Sequence, residues 1–206
     1  MKSGSIMTIT LHTGGAEGSD WFWEQIGKTF GIQIKVWSFY GHKAKTTVTP
    51  TMIPPRQLES ADKYIQEANE WFKEKVGFTR KYPNPNPYVN KLLQRDYFIV
   101  HNASSVLAIA DLDLETGIVS GGTGWGVTIG IIQHKPVYVY SPKHQKWYIY
   151  DIDRQCFVQY DTIPVLTPNF AGIGTRGTRV SRGVYDYPRH ACEMILRVYK
   201  QSISVL

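Results

Sequence analysis

Three times in this chain a run of β-branched or apolar residues meets a cluster of glycines. The stretches are "TLHTGGAEGSDWFWEQIG" (Thr10 to Gly27), "IVSGGTGWGVTIGIIQHK" (Ile118 to Lys135) and "NFAGIGTRG" (Asn169 to Gly177). Helix-like sequence follows the first two at once and the third from about Pro188. A buried strand that turns through glycine into a helix lays that helix back over the sheet it came from. Repeating the unit gives an α/β sandwich whose sheet is largely parallel and doubly wound, with helices on both faces. No other feature narrows the fold so far.

The elements between these loops follow from periodicity and breakers. Ile6 to Leu11 reads as a buried strand, and Ser19 to Phe30 as a helix whose first free amides Ser19 or Asp20 can cap. Gly31 ends that helix, and Ile32 to Val36 make the next strand. Trp37 to Pro55 is polar and reads as a loop. From Arg56 to Val76, the residues Leu58, Ala61, Ile65, Ala68 and Phe72 form one face of a helix. The prolines of "YPNPNPY" (Tyr82 to Tyr88) rule out helix and central strand, so this is a structured connector before a helix over Val89 to Val100. Ser105 to Ala110 and Pro136 to Tyr140 read as strands. Alternating aromatics over Trp147 to Tyr150 and Phe157 to Tyr160 add a β-hairpin turning near Asp153-Arg154. The last helix spans Pro188 to Lys200, with Pro188 suited to its first position. Thr178 to Tyr187 receives no assignment. Residues 6–200 are expected to form one domain, behind a flexible leader at 1–5, with Met7 as an alternative start.

Composition excludes several classes. Hydrophobic residues make up 42% of the 206 and charged residues 19%, the balance of a soluble globular protein. Ile6 to Leu11 is too short for a signal segment or a membrane span, so no membrane partner is expected. Cys156 and Cys192 lack metal or redox spacing and read as reduced, which fits a cytoplasmic protein. The net charge of +6 includes no dense Lys/Arg run, so it reads as solubility before it reads as a nucleic-acid footprint.

In a doubly wound sheet the glycine loops gather at the carboxyl ends of the strands, where their amides and the helix N-termini behind them receive anions. The first loop offers Thr13, Gly14, Gly15, Ala16, Gly18, Ser19 and Asp20. The second offers Gly121, Gly122, Thr123 and Gly124, with Trp125 reading equally as a ring to stack on a base or as one packed under the sheet. From the third come Gly172, Gly174 and Thr175, with Arg176 as a charged fork. Arg95 lies one turn after Lys91 and adds a cation. No Gly-Lys-Ser/Thr follows the glycines and no G-x-G-x-x-G occurs, which removes a Walker-type kinase and an ordinary dehydrogenase. Asp111, Asp113 and Glu115 read as solvated turn acids, and no metal is expected. His12 reads equally as ligand-facing or as packed. His42, with Lys43 and Lys45, reads either as reaching toward an anion or, by default, as part of a basic surface loop.

Together these motifs carry a resemblance. "TGGAEGSD" resembles the SGG-A-x-G-x-D element of the SLOG superfamily, which unites the DNA-processing SMF/DprA proteins with the LOG phosphoribohydrolases. "SGGTGWGV" is similar to that superfamily's second glycine motif, and "FAGIGTR" to its T-G-S-R element. The last element normally opens the domain but here lies near the C-terminus. That order resembles the circularly permuted YpsA-related branch, also labelled a molybdenum carrier family. The resemblance spans about Ile6 to Lys200 and implies a Rossmann-like, circularly permuted nucleotide-binding fold. Within it Arg95 matches the arginine of the LOG group, and Gly121, Gly122 and Gly124 match its G-G-x-G. Where that group has its catalytic glutamate, this chain has Val127 and Thr128.

The leading expectation is therefore a protein that binds a nucleotide or nucleotide-derived phosphorylated ligand, such as an ADP-ribose-like one, across three converging loops. It would act as a sensor, carrier or sequestering protein. The first alternative is LOG-like hydrolysis of nucleoside monophosphates, for which Glu17 is the nearest carboxylate by sequence. The second is single-stranded nucleic-acid binding. Relatives in the superfamily often dimerise, which adds a homodimer to the expectations.

Overall fold

In chain order, the described residues form β1 (Thr10–Thr13), α1 (Ser19–Thr29), β2 (Gln33–Ser38), β3 (Thr51–Met52), α2 (Pro55–Ser60), α3 (Asp62–Val76), α4 (Pro87–His101) and β4 (Ser105–Ile109). After these come α5 (Thr123–Ile132), β5 (Val137–Ser141), β6 (Lys146–Asp151), β7 (Cys156–Tyr160), β8 (Asn169–Gly174), β9 (Thr178–Ser181), β10 (Val184–Asp186) and α6 (Arg189–Ser204). This computed structural model describes residues 8–77 and 79–204. The leader at 1–5, the start at Met7 and the first residues of the Ile6 to Leu11 strand lie outside them.

Eight strands form one sheet in the order β3-β2-β1-β8-β4-β5-β6-β7, and β9 and β10 form a separate antiparallel ribbon. The pairings from β3 to β5 are all parallel, whereas β6 and β7 add antiparallel strands at one edge. All five residues of β4 are buried, as expected for an interior strand covered on both faces. Its side chains alternate between two cores. Val106 and Ala108 join residues of α3, α4 and α5, while Leu107 and Ile109 join residues of α1 and α6. The sheet is thus doubly wound, with the expected hairpin built from β6 and β7.

The strand order also shows the permutation. If the β8–α6 unit preceded β1, the strands from β2 to β5 would carry the order 3-2-1-4-5, with β3 as an addition at the edge. The helices that follow β4 and β8 pack on opposite faces. The crevice between these neighbours is therefore the topological switch point, where doubly wound sheets bind ligands.

Several local expectations need correction. The segment from Trp37 to Pro55 is not all loop, because β2 runs on to Ser38, β3 pairs with it, and Pro55 opens α2. The helix expected over Arg56 to Val76 is two helices that meet at the fully buried Ala61, whose amide bonds the Leu58 carbonyl. The spacing of Leu58, Ala61 and Ile65 suits either arrangement. Pro87 and Tyr88 belong to α4, where the Asn86 side chain caps the Tyr88 amide and proline takes the first turn. Pro188 instead precedes α6, its carbonyl accepting from Ala191 and Cys192. Ile118 and Val119 are not a sheet strand, since Val119 makes only an isolated bridge to Leu112. The unassigned Thr178 to Tyr187 contains the β9–β10 ribbon.

Candidate functional site

The carboxyl ends of β8 and β4 open into a cavity of about 370 Å³. All three glycine loops reach it: Ala16 and Asp20 from the first, Gly121, Gly122 and Thr123 from the second, and Gly174, Thr175 and Arg176 from the third. Arg95 and Asp96 enter from α4, along with an apolar wall of Val89, Leu92 and Leu93.

In the first loop Asp20 serves the backbone. Its Oδ2 accepts from the Gly14 and Ala16 amides, each at 3.2 Å, and it caps no helix end. Neither does Ser19. The N-cap of α1 is Gly18, and the Ser19 hydroxyl donates to the Thr175 carbonyl at 2.9 Å. Burial pushes the Asp20 carboxyl above its usual range, against the pull of Arg95 and of the Ala16, Gly14 and Gly174 amides. Arg95 Nη1 lies 4.0 Å from Asp20 and 3.4 Å from Asp96. The Arg95 guanidinium lies so close over Gly14 that a Cβ there would collide with it. Gly18 has φ of 89°, and any Cβ on it would strike the backbone of Thr175 and Arg176. A glycine is needed there for the first and third loops to touch.

The second loop leads into α5 without a side-chain cap. The first amides of a helix have no partner within it, so this end presents donors and a partial positive charge. Behind the loop Arg80 donates to the Gly121 carbonyl at 2.7 Å and to the Val119 carbonyl at 2.6 Å, with its guanidinium 4.2 Å from the Phe72 ring. Among the third-loop residues, Arg176 stands over the Tyr185 ring of the ribbon, and both line the cavity.

Asp96 was not among the sequence candidates, and His42 read by default as part of a surface loop; both line the cavity. His42 sits on the far side, stacked on Phe39 with Nδ1 3.0 Å from the Ser38 hydroxyl. Its loop is fastened to α1, since the Glu24 carboxylate accepts from the Thr47 amide and hydroxyl at 2.7 Å each. Burial, with Arg95 and Arg176 nearby, pushes the imidazole down to about 4, so it is neutral at pH 7. Asp96 lines the cavity and, among the described residues, pairs with Arg95 alone; burial pushes its carboxyl up to about 7. A signal for Asp96 existed. In "LLQRDYFIV" the Arg-Asp pair interrupts an apolar helix pattern, three and four residues after Leu92.

Other candidates stand outside the cavity lining. Glu17 is exposed and pairs with Lys45 at 2.9 Å, which together with Arg176 holds its carboxyl below the usual range. Trp125 is in the core, edge-on to Phe72, and is not available as a stacking ring. Gly172 lies within β8 beneath Trp23, and Gly124 packs against Val119 and Arg80. Gly15 meets Val36 and Ala44, while the Thr13 hydroxyl is buried without a partner. These residues shape the loops without lining the space between them. His12 is packed: its Nδ1 accepts from Trp37 Nε1 at 3.1 Å. Asp113 accepts from the Glu115 and Thr116 amides, which makes its segment a turn. Among the described residues no helix is long and apolar enough to cross a membrane.

Comparisons with family models, with curated proteins and with solved structures give no match for this chain.

Proposed function

We propose that the cavity binds a nucleotide or nucleotide-derived phosphorylated ligand, with phosphate between Arg95, Arg176 and the amides at the start of α5. One observation carries this reading. Arg95 is 5% exposed, lines the cavity, and its Nε has no hydrogen-bond partner. A buried guanidinium has five donors to satisfy, and leaving them unmet is expensive unless an anion completes the set. The position at the switch point and the uncapped helix end beside it favour the same class of ligand. The volume falls in the range of about 300–1,000 Å³ usual for small-molecule sites.

Isothermal titration calorimetry with inorganic phosphate, AMP, ADP and ADP-ribose tests the reading. Saturable binding of at least one of these is expected, weakened about tenfold or more in Arg95→Met. Absence of saturable binding of all four at millimolar concentration overturns it.

Hydrolysis of a nucleoside monophosphate is favoured by a separate observation. Asp96 is a cavity carboxyl that titrates near neutrality, as a general acid–base should. In that reading it takes the part expected of Glu17. Water adds across the bond between sugar and base, giving a sugar phosphate and the free base. Release of base from AMP, lost in Asp96→Asn, supports turnover. Binding without release leaves a sensor or carrier.

A further inference from the structure

The cavity's two carboxylates are not equivalent, and the difference bears on what the phosphate is attached to. Asp20 is occupied by the amides of its own loop. Asp96 accepts no hydrogen bond among the described residues; Arg95 Nη1 lies 3.4 Å from it, and Asp20 adds like charge nearby. Above about pH 7 Asp96 is ionised and only accepts, as do the unprotonated oxygens of a phosphate. A second phosphate placed there would meet like charge and leave Asp96 unsatisfied. A hydroxyl both donates and accepts. Two neighbouring hydroxyls would donate a hydrogen bond to Asp96 and accept one from Arg95 beside it. The rest of the lining at this end, Val89, Leu92 and Leu93, suits the carbon skeleton that bears them.

We infer that the site selects phosphomonoesters of polyhydroxylated compounds, with Asp96 accepting from a ligand hydroxyl, over inorganic phosphate and over ligands that present a second phosphate. This rests on the phosphate reading above and narrows it. Asp96 becomes the residue that determines specificity, while Arg95 and the α5 amides supply the charge common to all phosphorylated ligands.

Competition calorimetry on the full chain tests the inference with five probes: inorganic phosphate, pyrophosphate, ribose 5-phosphate, 2-deoxyribose 5-phosphate and phosphoethanolamine. Ribose 5-phosphate is expected to bind about tenfold or more tightly than inorganic phosphate, with pyrophosphate no tighter than phosphate. In Asp96→Asn and Asp96→Ala the ratio of ribose 5-phosphate to phosphate affinity should fall to within about threefold. Circular dichroism confirms that each variant is folded, and using two variants guards against loss of one. Pyrophosphate binding more tightly than ribose 5-phosphate overturns the inference, as does a ratio unchanged in both variants. Preference for phosphoethanolamine would replace the hydroxyl with an ammonium and overturn it too. In all these cases phosphate binding itself survives. If wild type binds none of the five and none of the nucleotides above, the phosphate reading fails and this inference falls with it; binding of a nucleotide alone overturns only the inference.

Discussion

Arg95 and Asp96 are adjacent in sequence, and their opposite charges share one cavity under different terms. Arg95 lies over Gly14 beside Asp20, whereas Asp96 is desolvated with little to offset the loss. An Asp96 carboxyl raised from 3.8 to about 7 holds its proton in the folded chain over a window in which the unfolded chain has already released it. Ionised Asp96 therefore opposes folding: the penalty is absent below about pH 4, grows as pH rises, and is complete above about pH 7. From the size of the shift it reaches roughly 4 kcal/mol at most. The groups facing Asp96 are Arg95 and Asp20, which pull in opposite directions. Asp96→Asn should thus melt higher than wild type at pH 8, with the gap closing by pH 4; an equal gap at both pH values would refute this origin. The residue scale is also where sequence reading reached least far. His42 looked like part of a basic surface loop because its contacts, with Ser38, Phe39 and a loop latched by Glu24, come from folding. Trp125 read equally as stacking or packed, and nothing local could decide between them, because Phe72 packs against it only in the fold.

Among the elements, the glycine loops and their helices were legible because their signals are local. Apolar runs, glycine breaks and helical periodicity lie within a few residues of one another. The junction at Ala61 was not legible, since the apolar spacing across it fits one helix as well as two. The β9–β10 ribbon was missed for another reason. All four residues of β9 are exposed, so no apolar alternation marks it. A two-stranded ribbon with so little buried surface adds little stability by itself. Yet Tyr185 of this ribbon lines the cavity beside Arg176. Replacing Thr178 to Asp186 with a short Gly/Ser linker should shift the melting temperature by no more than about 3 °C, equivalent to about 1 kcal/mol. The same change should weaken phosphate-ligand binding several-fold. Unchanged affinity would show that the ribbon stands outside the site.

At the scale of the whole molecule, the cavity depends on spatial strand order, not on chain order. β1, β4 and β8 come from the beginning, middle and end of the chain, yet their carboxyl ends lie side by side. A permutant opened between the exposed Asp161 and Thr162, with Ser204 joined to Thr8 by a flexible linker, would place β8–α6 first. It should fold to the same sheet and bind the same phosphorylated ligands within about threefold of the parent. A folded permutant without binding would show that connectivity shapes the site. The sequence by itself determined the α/β class, most helices and strands, and the three glycine loops, because each of these is set by interactions among neighbours in the chain. Only the tertiary structure decided which loop residues face the shared space, that Asp96 and His42 join them, and that Glu17 and Trp125 do not. The reason is physical: burial, and the charge state it imposes, depend on which distant segments are packed together, and the parallel sheet does that packing.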